Sequence, residues 1–111
     1  MSGRDRTILE KTLKEINCLN TLLKGVKTFE DFDADEKTKR SVVMTLINVG
    51  ELVKHLSDDF KESHNNIPFH AITALRNVAT HGYLTLNFKI IWNTVNKSIP
   101  ELKTQIADLL K

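Results

Sequence analysis

The stretch Ala74-Leu75-Arg76-Asn77-Val78-Ala79-Thr80-His81-Gly82-Tyr83 decides how this 111-residue chain is organised. It follows Asn66-Ile67-Pro68, and proline suits the first turn of a helix, where its missing N–H is no loss. Glycine is common just past a helix end, as at position 82 here. Residues 68–82 are therefore predicted to form a helix with an arginine, a histidine and a tyrosine near its C-terminal end. The residues of its inner face are Phe69, Ile72, Leu75 and Ala79.

A first long helix is predicted over about residues 4–24. Ser2 and Asp5 resemble a capping box, in which a hydroxyl and a carboxylate satisfy free N–H groups, and Gly25 offers a left-handed end. The apolar stripe has spacings of three and four: Leu9, Leu13, Ile16, Leu19, Leu23 and Val26.

A second long helix is predicted to begin at a cap-like pair, Asp33 with Glu36, and to end near residue 56 or 57. Its apolar side is Val42, Val43, Leu46, Val49, Val53 and Leu56. Gly50 lies on the same side and costs a helix interior about 1 kcal/mol relative to alanine. The glycine predicts that another backbone packs closely against this helix.

Two polar segments separate the predicted helices. Residues 28–34 are predicted to be a loop or short turn held to the core by Phe29 and Phe32. Residues 58–66 are predicted to be a loop anchored by Phe60.

A fourth helix is predicted to begin at Thr85 or Asn87 and to break or kink at Pro100, which has no N–H to donate. Ser98 with Glu101 can cap the segment that follows. The two apolar stripes are Phe88, Ile91, Trp92, Val95 and Ile99, then Leu102, Ile106, Leu109 and Leu110. The predicted fold is all-α: an antiparallel four-helix bundle with an additional short C-terminal helix, in a single domain over residues 1–111.

The composition limits the function classes. A hydrophobic share of 41% with 27% charged residues is ordinary for a globular chain, and no apolar run approaches the roughly 18 residues of a membrane span. The polar N-terminus lacks a signal-peptide core, so a cytoplasmic location is expected. The single cysteine, Cys18, is predicted to pack inertly in a helical stripe. A net charge of +2 permits an anionic partner such as RNA without requiring one.

Arg76 and His81 are the candidate catalytic residues. Arginine binds phosphate bidentately, and histidine gives or takes a proton near neutral pH. Together they supply what RNA cleavage without a metal needs: proton transfer at the ribose or leaving oxygen, and stabilisation of charge on the phosphorane. Tyr83 could add a hydrogen bond or stack on a base. The same spacing also fits a surface arginine and a histidine favoured by the helix dipole.

Helix geometry restricts how these residues can cooperate. Five helical steps leave Arg76 and His81 roughly 140° apart around the axis and about 7.5 Å apart along it. Asn77 and His81, four residues apart, share a face. Either the helix loosens before Gly82, or two subunits share the site. The favoured arrangement is a helix end at His81, with Asn77 orienting the ring, in a symmetric dimer.

Other polar residues are weaker candidates. Glu51 and His55 share a helix face as metal ligands do, but a second such pair is missing, so no metal site is predicted. Glu51 could instead reach Arg76 or Tyr83. His64 and His70 are predicted to be solvated, and so is the run Lys37-Thr38-Lys39-Arg40.

The string Arg76-Asn77-x-x-x-His81-Gly82-Tyr83 after a proline-started helix resembles the HEPN family, and more narrowly the HepT-like toxins of HEPN/MNT toxin–antitoxin pairs. The resemblance includes Gly50-Glu51, Ile67-Pro68 and Trp92. Phe69 departs from it, because relatives commonly carry tryptophan there. The region before Val42 matches only in pattern.

This resemblance implies a metal-independent endoribonuclease that needs no cofactor and acts as a homodimer. Arg76 and His81 would be catalytic, with Asn77 and Tyr83 supporting them. It also implies a partner, an MNT-type nucleotidyltransferase antitoxin that adds AMP to Tyr83. The alternatives are a non-catalytic HEPN-like module that binds nucleotide, RNA or a nucleotidyltransferase, and a purely structural helical domain.

Overall fold

Helix-capping side chains set where the helices of this protein begin. In a computed structural model, which describes all 111 residues, the Ser2 hydroxyl accepts the N–H of Asp5 at 3.0 Å and starts the first helix. Asn87 likewise accepts the N–H groups of Lys89 and Ile90. The helices are α1 (Gly3–Leu22), α2 (Phe29–Ala34), α3 (Glu36–Lys54), α4 (Asp58–Ser63), α5 (Phe69–His81), α6 (Phe88–Asn93) and α7 (Ile99–Leu109). A 3₁₀ turn, Tyr83–Thr85, joins α5 to α6, and a π-helical segment, Thr94–Ser98, joins α6 to α7.

The helices enclose one core. Its buried apolar side chains are Ile8, Leu9, Ile16, Leu19, Phe32, Val42, Val43, Leu46, Val49, Val53, Leu56, Phe60, Ile67, Phe69, Ala79, Ile91, Val95, Ile99, Leu102 and Ile106. α3 packs against both α1 and α5, while α7 packs against α1. The predicted all-α class is confirmed. None of the helices is both long and apolar enough to cross a membrane.

The Asp5 carboxylate in the first turn of α1 is hydrogen-bonded to the residue that precedes α4. It accepts the N–H of Ser57 at 2.9 Å and the Ser57 hydroxyl at 2.7 Å, instead of completing the predicted capping box on α1. Burial raises the pKa of Asp5, but the hydrogen bonds from Ser57 outweigh it and leave that pKa below its usual value. The start of α1 is thereby tied to the start of α4.

The two segments predicted as loops contain short helices. Thr28 caps α2 by accepting the N–H of Asp31, and Ser57 caps α4 by accepting that of Phe60. Six residues make fewer than two turns, which is too short for a periodic pattern to show. The expected burial of Phe60 is confirmed.

Three predicted details of the helix ends are corrected. Asp35, not Asp33, caps α3, because its carboxylate accepts the N–H of Thr38. The predicted break at Pro100 is absent, since the backbone stays right-handed helical through Ser98 and Ile99, and the departure from regular α-helix is the π segment directly before the proline. Ser98 makes no capping hydrogen bond. The predicted left-handed conformation of Gly25 is confirmed, with φ of 84°.

Two predicted side-chain environments are also corrected. Cys18 is exposed, because it is two positions after buried Ile16 and therefore points to the opposite side of α1. Lys39 is buried: its Nζ lies 3.2 Å from the backbone oxygen of Asp33 and 4.2 Å from the ring centre of Phe88. The run at 37–40 is thus not a uniformly solvated face.

Candidate active site

Gly50 allows α5 to lie directly on α3. A Cβ at this position would overlap the Cβ of Arg76 and lie 3.2 Å from the backbone oxygen of Ile72. The close approach predicted from this glycine is therefore confirmed. It fixes the start of the Arg76 side chain against the surface of α3.

The Arg76 guanidinium is held at two of its nitrogens. Nη2 lies 2.7 Å from Oε2 of Glu51 on α3, and Nη1 donates to Oδ1 of Asn77 at 2.9 Å. Nε is buried and has no hydrogen-bond partner. Since arginine has five N–H donors, this arrangement leaves donors for an anion.

Glu51 joins Arg76 to a histidine. Its other carboxylate oxygen lies 3.1 Å from Nε2 of His55, one turn along α3. The hydrogen bond with His55, together with the positive charge of Arg76, lowers the pKa of Glu51. Glu51 is therefore a carboxylate that orients Arg76. The sequence alone left open whether Glu51 reaches Arg76 or Tyr83.

His81 is the last residue of α5 and is exposed. The helix does not loosen before Gly82, so Arg76 and His81 keep the roughly 140° separation of a regular helix. The structure shows no hydrogen bond between Asn77 and the His81 ring; the Asn77 amide oxygen accepts from Arg76 instead. One chain therefore does not bring the arginine and the histidine onto a common face.

Tyr83 lies just beyond α5 and is fixed by residues distant in sequence. Its hydroxyl donates to Oε1 of Glu36 at 2.9 Å, and the Arg40 guanidinium lies 4.6 Å from its ring centre. The Phe88 ring meets it edge-on, with 5.2 Å between centres. Burial and the Glu36 carboxylate raise the pKa of Tyr83, while the hydrogen bond from Tyr83 lowers the pKa of Glu36.

Sequence reasoning missed Glu36 and Arg40. They precede Tyr83 by 47 and 43 positions, and no spacing rule links positions so far apart. Arg40 belongs to the basic run at 37–40 and is exposed as predicted, but its guanidinium also lies over the Tyr83 ring.

The remaining histidines are outside the site. His70 is exposed as predicted. His64 is not fully solvated, because its ring stacks on Phe60 with 4.3 Å between centres and its Nδ1 lies 3.0 Å from the Phe60 carbonyl oxygen. The chain contains no cluster of three or more His, Cys, Asp or Glu side chains arranged to hold a metal.

A helical fold with Arg76, His81 and Tyr83 at the end of a helix that packs on Gly50 defines a HEPN-type protein. Residues 12–109 match the family described as ribonuclease HepT-like, and the chain belongs to that family. The match therefore includes residues before Val42, the region in which the sequence alone resembled the family only in pattern.

Two relatives cover nearly the whole chain. The protein named "Putative RNase TTE0752" of Caldanaerobacter subterraneus subsp. tengcongensis is 39% identical over 106 residues, which is 96% of this chain and 94% of the relative. "Probable ribonuclease HepT" of Thermococcus cleftensis is 36% identical over 111 residues, the full length of both. No solved structure matches the chain. These similarities place the chain among the ribonucleases.

Proposed function

We propose that this chain is a metal-independent endoribonuclease in which Arg76 binds the scissile phosphate and His81 transfers the proton. The observation that carries the proposal is the Arg76 guanidinium, which is oriented by Glu51 at 2.7 Å and by Asn77 at 2.9 Å and retains unpaired donors. A guanidinium held in this way is pre-organised for a phosphate, because less side-chain freedom is lost on binding.

The chemistry assigned to His81 follows from its position. It is exposed at the end of α5, so an RNA strand can reach its ring. The imidazole would take the proton from the ribose 2′-OH or give one to the leaving oxygen. The ribose 2′-oxygen would bond to phosphorus as the bond from phosphorus to the leaving 5′-oxygen breaks, and Arg76 would stabilise the negative charge that develops on the phosphoryl oxygens.

Cleavage of mixed RNA in EDTA by wild-type protein is the experiment that tests this function. We expect cleavage to persist, because the proposed groups are the chain's own side chains and no bound metal is required. Absence of cleavage by unmodified wild-type protein would overturn the proposal and favour the non-catalytic binding module.

We infer that two copies share the site. Within one chain, Arg76 and His81 lie on different sides of α5. A two-fold axis perpendicular to α5 would make the two α5 helices antiparallel and could set one chain's arginine against its partner's histidine. The surface of α5 supports this arrangement. Among the other helices, α3 alone has extensive contacts with α5. The side of α5 that carries Asn77, Val78 and His81 is exposed.

Val78 provides the test of the dimer. Its side chain is 58% exposed on α5, so Val78→Asp should leave the folded monomer nearly unchanged and place two like charges in the proposed interface. We expect the light-scattering mass at micromolar concentration to fall from that of a dimer to that of a monomer, with RNA cleavage lost.

Met44 is the matched control, because it is also 58% exposed but lies beside α1. Met44→Asp should retain the dimer. A monomeric wild-type protein that cleaves RNA would contradict the shared site.

We further propose that the protein is the toxin of a toxin–antitoxin pair whose nucleotidyltransferase antitoxin transfers AMP from ATP to the Tyr83 hydroxyl and releases pyrophosphate. Tyr83 lies two residues after His81, so an attached nucleotide would bring bulk and negative charge to the anion-binding surface.

Mass spectrometry after co-expression with this partner should find AMP on the Tyr83 peptide, together with loss of RNA cleavage. Tyr83→Phe should carry no AMP, because its ring lacks the hydroxyl. AMP on another residue, with Tyr83 unmodified, would contradict the assignment.

A further inference from the structure

Arg40 is an exposed cation placed against the Tyr83 ring. Its side chain is 61% exposed, its Nε lies 3.1 Å from Oε1 of Glu36, and its guanidinium carbon lies 4.6 Å from the centre of the Tyr83 ring. The same Glu36 oxygen accepts the Tyr83 hydroxyl. The Glu36 carboxylate therefore interacts with both Arg40 and Tyr83 in the free protein.

The contacts between α3 and α5 place Arg40 in line with Arg76. The two helices run antiparallel, because Gly50 and Glu51 meet Arg76 while Glu36 and Arg40 meet Tyr83. Eleven residues separate Glu51 from Arg40, which corresponds to about 16 Å along α3. One edge of the helix pair thus has Arg76 near one end and Arg40 near the other.

We propose that Arg40 binds a backbone phosphate of the RNA outside the scissile position, and that Glu36 competes with the RNA for Arg40. This inference rests on the proposed ribonuclease function. The exchange is physically reasonable because the Arg40–Glu36 pair is exposed, and exposed ion pairs contribute little to stability. A phosphate can offer the guanidinium two parallel hydrogen bonds in its place.

The test compares Arg40→Gln with Glu36→Gln, because both substitutions break the ion pair between these residues. Binding of a labelled twelve-nucleotide RNA is measured by fluorescence anisotropy in a His81→Ala background, which prevents cleavage. We expect Arg40→Gln to weaken binding about tenfold and to reduce the slope of log affinity against log salt by about 1. Glu36→Gln should strengthen binding, since the amide still accepts the Tyr83 hydroxyl but no longer competes for Arg40.

Lys97→Gln is the control for a general loss of positive charge, since Lys97 is exposed in the π-helical segment beyond α6. The proposal is overturned if Arg40→Gln matches Lys97→Gln, or if Arg40→Gln and Glu36→Gln shift affinity in the same direction, as a purely structural ion pair would. Wild-type protein that neither binds nor cleaves RNA would instead refute the ribonuclease function itself.

Discussion

Replacing His81 with alanine is expected to slow RNA cleavage by about 10²–10⁴-fold, the usual contribution of a positioned acid or base. The side chain is exposed at the end of α5, so its removal should change the free energy of unfolding by less than about 0.5 kcal/mol. Single-turnover cleavage of RNA in EDTA, with a thermal unfolding curve for each variant, measures both quantities.

His70 is the matched control for this experiment. It is an exposed histidine in the first turn of the same helix, and His70→Ala should cleave RNA at the wild-type rate. A folded, dimeric His81→Ala variant that cleaves as fast as wild type would refute the assignment of His81.

The equivalent change at Arg76 requires a different comparison. Arg76→Ala leaves the Glu51 carboxylate without its arginine partner, so lost activity could follow from a local rearrangement. Arg76→Lys keeps the charge and loses the planar, two-nitrogen contact with Glu51 and Asn77. We therefore expect the lysine variant to fold and to cleave slowly.

Much of the helical framework was predictable because its signals are local. The caps at Ser2 and Asn87, the left-handed Gly25 and the end of α5 at Gly82 each depend on residues within one turn. The close approach at Gly50 was also predictable, since a glycine that weakens a helix needs a compensating contact.

The parts of the site that could not be predicted from the sequence depend on contacts between residues that are far apart in the chain. Glu36 and Arg40 meet Tyr83 only because α3 and α5 run antiparallel, and the register of that pair is set by packing at Gly50. Two residues of α5, Arg76 and His81, were possible partners for the Asn77 amide. It bonds to Arg76 because Glu51 draws the guanidinium towards α3, an interaction that helix periodicity does not describe.

Gly50→Ala should damage activity and stability together, although alanine is the better helix former by about 1 kcal/mol. The added Cβ would overlap the Cβ of Arg76, which is attached directly to the backbone of α5 and cannot rotate away. α5 must therefore move off α3. Overpacking of this kind typically costs about 1–3 kcal/mol, and a displacement of roughly 1 Å at a catalytic group can slow a reaction about 10²-fold.

Gly3→Ala is the matched control, because Gly3 also lies in a helix but a Cβ there would meet nothing within 4 Å. Chemical denaturation and RNA cleavage should show no loss for Gly3→Ala and a loss of both stability and rate for Gly50→Ala. The two losses can be separated by measuring cleavage well below the unfolding transition, where both variants are folded. If Gly50→Ala then cleaves RNA at the wild-type rate, the position of Arg76 on α3 does not control the reaction, and the arginine acts without the alignment that Gly50 and Glu51 impose.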